Sequence, residues 1–222
     1  MSGVDDSWAI GAVVIAGGYL LGSISFSILI VRVLLGIDIR TVGSGNAGAT
    51  NVLRVAGRGP ALLAFLLDAG KGAAGVAIAR GLDVGIVPES LVGVAAVVGH
   101  MWPIYFGLRG GKGVATAAGT LALLVPLATA VACVLFVLVV AWKRYVSLGS
   151  VVVATAVPLI VASFGLAGRY PPGERGWLTA ACAVIGGLIV IKHRANLRRL
   201  RAGNEPKLGR GKAAAPAPGG AE

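Results

Sequence analysis

Five long stretches of this chain carry no Asp, Glu, Lys or Arg: Ser7 to Val31, Leu91 to Leu108, Gly113 to Trp142, Tyr145 to Gly168 and Gly176 to Ile191. Runs of about 18 or more apolar residues are long enough to cross the hydrocarbon core of a bilayer as helices. Only 13% of the residues are charged and 56% are hydrophobic, against about a quarter charged in an ordinary soluble domain. Thirty-five glycines suit helices that pack closely in lipid. The expected class is therefore all-α and polytopic, with its backbone hydrogen bonds closed inside each helix. Asp5 and Asp6 stand where a signal peptide would have its basic region, so the N-terminus is not read as one.

The net charge of +11 raises the question of nucleic acid, but its placement answers for topology instead. Sixteen Lys and Arg fall in four segments: Arg32 to Arg58, Arg109 and Lys112, Lys143 and Arg144, and Lys192 to Lys212. The other connections are sparse or acidic. The positive-inside rule puts the basic set on the cytoplasmic face. With an acidic N-terminus outside and a basic tail inside, the number of spans must be odd. Single spans are expected at Trp8–Val33, Pro60–Ala79, Leu91–Gly107, Ser147–Gly165 and Trp177–Ile191. The thirty residues Gly113 to Trp142 contain Pro126 near their middle, where a helix breaks or kinks. Splitting there gives two short helices and seven spans in all. Residues 1–203 form the expected membrane domain. The Ala-, Pro- and Gly-rich tail 204–222 is expected to be mobile. Cys133 and Cys182 lie in apolar runs and read as free packing thiols.

Four polar stretches then share the cytoplasmic face. "VGSGNAGATNVLR" (42–54) contains the G-x-G-x-x-G spacing of Gly43, Gly45 and Gly48. A dinucleotide fold would need a strand before it and a βαβ unit around it, and the flanking membrane helices exclude that. The local chemistry survives. Ser44, Gly45, Asn46, Thr50 and Asn51 offer backbone N–H, hydroxyl and amide donors to an anion, and Arg54 adds a forked charge suited to phosphate. In "LRGGKGVAT" (108–116), Gly110, Gly111 and Gly113 surround Lys112 at the start of a helix, a natural anion site, although a topogenic lysine explains it as well. Ser147 in "WKRYVSLGS" follows two cations and reads either as a site hydroxyl or as a helix cap. In "KHRANLRRL", His193 and Asn196 share one helical face. His193 reads equally as a general base or as an interfacial residue. Asp68 and Lys71, three apart within an apolar run, read as a structural pair. His100 reads as a satisfied intramembrane hydrogen-bonder.

Six segments, "LLGSISF", "GSGNAGATNVLR", "DAGKG", "GHMWPIYFGLRGGKGVAT", "WKRYVSLGS" and "KHRANLRRLRAGNE", stand in the order and spacing of one family. Over residues 15 to 206 the chain closely resembles the bacterial membrane glycerol-3-phosphate acyltransferases that use acyl phosphate as donor. The resemblance implies seven spans and a reaction that yields 1-acylglycerol 3-phosphate (lysophosphatidate) and phosphate. It implies Ser44, Arg54, Lys112, Ser147, His193 and Asn196 as site residues, with Lys112, His193 and Asn196 nearest the chemistry. The H-x-x-x-x-D pattern of other acyltransferases is absent, since Tyr105 and Arg198 stand five residues after the two histidines. No cofactor or metal is expected. The partners expected are the two substrates, membrane lipid and, transiently, a soluble acyl-phosphate-forming enzyme, with no nucleic acid. The expected location is the bacterial cytoplasmic membrane, with the site on its cytoplasmic face. A transporter of a phosphorylated solute and a lipid-binding scaffold are the rival classes.

Overall fold

The structure, a computed structural model, describes residues 2–209, with side chains placed from residue 9 onward. Every described element is helical: α1 (Ser2–Gly22), α2 (Phe26–Leu35), α3 (Ala49–Val55), α4 (Arg58–Gly81), α5 (Ile86–Met101), α6 (Val114–Leu124), α7 (Pro126–Lys143), α8 (Val146–Leu166), α9 (Pro172–Lys192) and α10 (Arg194–Arg201). Among the described residues six stretches are long and apolar enough to cross a membrane, counting α1 and α2 together as one, while α6 is shorter.

The bundle is apolar outside and partly polar inside. Val13, Val137, Leu138, Leu159 and Leu166 are all more than 60% exposed, whereas Asp68, Lys71, His100 and His193 are 3% exposed or less. Such a surface suits hydrocarbon rather than water.

Close approach of helices comes from residues without side chains. A Cβ on Gly22 would lie 2.2 Å from the Ala96 carbonyl, and one on Gly99 2.2 Å from the Tyr19 carbonyl, so α1 and α5 meet backbone to backbone. Gly72 and Gly119 do the same for α4 and α6, and Gly186 for α9 against α8. With no water to exclude, this van der Waals fit is the main force joining helices in lipid.

Three expectations are corrected. The first apolar run is not one helix: it breaks at Ser23–Ser25 between α1 and α2. The break frees backbone carbonyls, and Lys71 Nζ answers one of them by donating to Ile24 O at 2.5 Å. The run from Gly113 to Trp142 does divide at Pro126, but unequally, into helices of 11 and 18 residues. At 1.5 Å per residue α7 reaches about 27 Å and is long and apolar enough to cross by itself, so only α6 is a half-length piece. Its short length is sheltered by α4 through the Gly72 and Gly119 contacts. Finally, Cys182 is buried but Cys133 is exposed on α7, so it is not a packing thiol.

Candidate active site

The break between α2 and α4 is filled by the glycine-rich segment, and its shape follows from one side chain. Asn51, on α3, is 1% exposed. Its Oδ1 accepts from the Ser44 N–H at 2.8 Å, and its Nδ2 donates to the carbonyls of Ile39 and Val42, both at 3.1 Å. The loop is thus wrapped around an amide. Gly43 makes room for it, with φ +62 and a position where a Cβ would be 2.3 Å from Asn51 Oδ1. The expected donor role of Asn51 toward an anion is redirected, because both its N–H groups are spent on the loop backbone.

α3, α6, α8 and α10 all begin at one cavity of about 720 Å³. The first-turn N–H groups of a helix have no partner within it, so these ends make the cavity electropositive as well as polar. Ser44, Asn46, Thr50, Asn51, Arg54, Lys112, Ser147, His193 and Asn196 all line it. Gly45, Gly110 and Gly111 do not. Gly45 sits in the turn closed by its N–H on Val42 O, and Gly110 and Gly111 pack behind the cavity wall against His100. The other flank of the cavity is apolar, formed by Ala61, Leu62 and Phe65 of α4 with Phe136 and Val140 of α7.

A hydrogen-bonded chain crosses the polar pole. Lys112 Nζ donates to Asn196 Oδ1. Asn196 Nδ2 and Ser147 Oγ each donate to Glu205 Oε1 at 2.6 Å. Arg199 Nε donates to Glu205 Oε2 at 2.8 Å. Ser147 is the second residue of α8 and bonds forward to Glu205 rather than capping its own helix. Glu205, like Arg58, Ser150 and Arg199, lines the cavity without being among the site residues expected from the sequence. It lies in the segment expected to be a mobile tail, yet it is only 7% exposed. Residues 204–209 fold back over the site, with Leu208 N–H donating to Arg144 O at 2.6 Å and Lys207 over the Tyr145 ring. These first residues of the tail thus pack onto the bundle, and the rest of the tail lies outside the described residues. One signal was available: Glu205 is a lone carboxylate among the eight basic residues of 192–212.

The electrostatics follow from burial and these partners. Burial pushes Lys112 down to about 8; the Glu205 carboxylate pulls it back up in part, and Arg199 and Arg54 add repulsion. His193, at the end of α9, is lowered to about 4, first by burial and then by the Lys112 charge. It is therefore neutral near pH 7. Its Nδ1 lies 2.8 Å from Ile189 O, so Nδ1 carries the hydrogen and Nε2 keeps a lone pair. Burial raises the Glu205 carboxyl, but the hydrogen bonds from Ser147, Asn196 and Arg199 outweigh it and hold the group below its ordinary range. Arg54 is half-buried at the rim and has no ion pair among the described residues. Among the described residues there is also no group of three or more His, Cys, Asp or Glu suited to a metal.

The cavity thus joins a cationic, amide-lined pole to an apolar flank from α4 and α7, a shape that accepts an anionic head and an apolar chain together. The profile of the family described as "Glycerol-3-phosphate acyltransferase" matches residues 12–203. The chain belongs to that family. Relatives of the same name come from Halalkalibacterium halodurans, 46% identical over 91% of this chain and 98% of the relative, and Pseudomonas aeruginosa PAO1, 48% identical over 84% and 94%. Two crystal structures of PlsY (YgiH), an integral membrane glycerol 3-phosphate acyltransferase, superpose on it. The glycerol 3-phosphate form has a TM-score of 0.81 at 39% identity, covering 90% of this chain and 96% of that one. The lysophosphatidic acid form has a TM-score of 0.78 at 36% identity, covering 91% and 97%. The chain is thus an acyltransferase of the membrane-integral family, and the ordered motifs resembled their true relatives.

Proposed function

We propose that this protein transfers the acyl group of acyl phosphate to the 1-hydroxyl of sn-glycerol 3-phosphate, releasing lysophosphatidate and inorganic phosphate. The observation that carries this reading is the union, in one cavity, of the Lys112–Asn196–Ser147 pole with the apolar wall of Leu62, Phe65, Phe136 and Val140. Relatives and structural neighbours named for glycerol 3-phosphate and lysophosphatidic acid support the acceptor and the product.

Both substrates carry phosphate, and the pole offers two kinds of cation. Arg54 at the rim and Lys112 in the wall hold the phosphate groups, helped by Ser44, Asn46 and Thr50. The acyl chain lies along α4 and α7. The glycerol hydroxyl attacks the carbonyl carbon, the new ester C–O bond forms, and the carbonyl carbon–oxygen bond to phosphate breaks. His193 Nε2 takes the hydroxyl proton, and the departing phosphate leaves with the electron pair of the broken bond. Lys112, Asn196 and the first-turn N–H groups of α6 answer the charge that develops on the carbonyl and leaving oxygens. Acyl phosphate is already activated, so alignment supplies much of the rate. No covalent enzyme intermediate is needed.

In the membrane, α6 is a half-length fourth crossing that brings the total to seven, the N-terminus faces outward and the site opens to the cytoplasm. The distribution of basic residues supports that orientation. Protein purified in detergent, given acyl phosphate and radiolabelled glycerol 3-phosphate with EDTA present, is expected to form lysophosphatidate. Acyl-CoA as donor is expected to give none. Absence of product from every donor would overturn the reading, and loss of product only with EDTA would overturn its metal independence.

A further inference from the structure

In the wall of the cavity lies a charge cluster that the transfer chemistry leaves unused: Asp68 and His100 line the cavity, and Lys71 packs behind them. Lys71 Nζ donates to Ile24 O at 2.5 Å, lies 3.0 Å from His100 Nδ1 and forms an ion pair with Asp68 Oδ1 at 2.8 Å. An ammonium can only donate, so toward a charged Lys71 the neutral His100 ring accepts at Nδ1 and carries its hydrogen on Nε2; the same Nδ1 lies 3.5 Å from Asp68 Oδ1. Ser27 Oγ lies 3.4 Å from Asp68 Oδ2. Charges this deep in an apolar bundle are costly unless they are paired, and they mark function by default. Here they bind together the break between α1 and α2, the middle of α4 and the last turn of α5.

What the cluster holds is the strand that leads into Lys112. The Gly111 N–H donates to His100 O at 3.1 Å. A Cβ on Gly111 would fall 2.2 Å from His100 Nε2 and 2.3 Å from the Ala47 carbonyl, and one on Gly110 would fall 2.0 Å from His100 O. Gly111 is therefore clamped between the fixed imidazole and the glycine-rich loop, one residue before Lys112. Lys71 fixes the ring, the ring fixes Gly111, and Gly111 fixes the origin of the Lys112 side chain.

We propose that His100, held by Lys71 and Asp68, is a positioning residue for Lys112. The proposal rests on the acyl-transfer reading. It predicts coupling between two side chains, which a merely structural role does not produce.

The test is a double-mutant cycle of His100→Ala and Lys112→Ala, read as kcat/KM for glycerol 3-phosphate. A displacement of about 1 Å at a reacting group costs about 100-fold, and that loss is expected for His100→Ala when Lys112 is present. In the Lys112→Ala background the further loss is expected to be under about 3-fold. Gly111→Ala pushes the same strand from the other side and is expected to behave as His100→Ala does. His100→Gln, whose amide can both accept from Lys71 and donate toward Gly111, is expected to recover most of the rate. The rise in melting temperature on adding glycerol 3-phosphate is expected to vanish in His100→Ala as in Lys112→Ala, which reads the coupling without turnover. Equal losses in both backgrounds, or a ligand-induced rise retained in full, would overturn the positioning role. A wild-type protein that shows the ligand-induced rise but makes no product would instead overturn the acyl-transfer reading alone.

Discussion

Ser147 and Glu205 stand 58 positions apart and are joined by a buried hydrogen bond of 2.6 Å. The bond ties the start of α8 to a strap that follows the last described helix. Because the same carboxylate also receives Asn196 and Arg199, the strap organises the side chains at the pole of the cavity.

Glu205→Ala leaves two buried donors without an acceptor, at a cost of about 1–3 kcal/mol for each one stranded. A drop in melting temperature in detergent is expected, together with a loss of turnover. Glu205→Gln keeps an oxygen in place and is expected to fall between alanine and wild type. The half-exposed Arg199 side chain contributes little to the difference. An alanine variant that melts like wild type would show that the strap is not held by this residue.

The pH profile of kcat/KM reports groups of the free enzyme. Lys112, lowered to about 8, is charged below that value and neutral above it, so kcat/KM for glycerol 3-phosphate is expected to fall as pH rises through about 8. His193, lowered to about 4, keeps its lone pair everywhere above that value, so it sets no limit near neutrality. Lys112→Arg carries a charge that persists past pH 12 and is expected to lose the alkaline limb, whatever its absolute rate. An unchanged limb in that variant would assign the titration to another group.

His193→Ala removes the proposed base and is expected to lower kcat by about 100- to 10,000-fold, with a small effect on KM for glycerol 3-phosphate. Near-normal turnover at saturating substrate would assign the proton to the departing phosphate instead.

Gly119→Val tests the contact that shelters the half-length helix. A Cβ at Gly119 would lie 1.8 Å from Ala69 O, and backbone cannot rotate aside as a side chain can. Overpacking of this kind costs about 1–3 kcal/mol, and a markedly lower melting temperature is expected. Gly187→Ala on α9, where a Cβ meets no atom within 4 Å, is expected to melt at or above the wild-type temperature. Equal melting of the two variants would remove the special role given to the α4–α6 contact.

Membrane class, the break at Pro126 and most of the polar residues that line the cavity were legible in the chain, because charge-free runs, proline and glycine act locally. Lys112, Ser147, His193 and Asn196 each sit beside a helix end that the pattern of apolar residues marks. Asn51 was legible as a polar loop residue but not as the amide around which the loop folds, since its partners Ile39 and Val42 offer only backbone carbonyls. Any sequence has those. The break at Ser23–Ser25 was hidden for a similar reason: what stabilises it is Lys71, 47 residues away.

The sequence by itself determined that this chain would be an α-helical membrane protein with anion-binding chemistry on one face, because a bilayer permits few backbone solutions and the charged residues mark where those helices end. Only the tertiary structure decided that Glu205 lines the cavity, that Gly110 and Gly111 pack against His100 outside it, and that Asp68, Lys71 and His100 form one cluster. Those outcomes depend on which helix faces meet, and that is set by glycine-to-backbone contacts between segments far apart in the chain, where no local pattern records the partner.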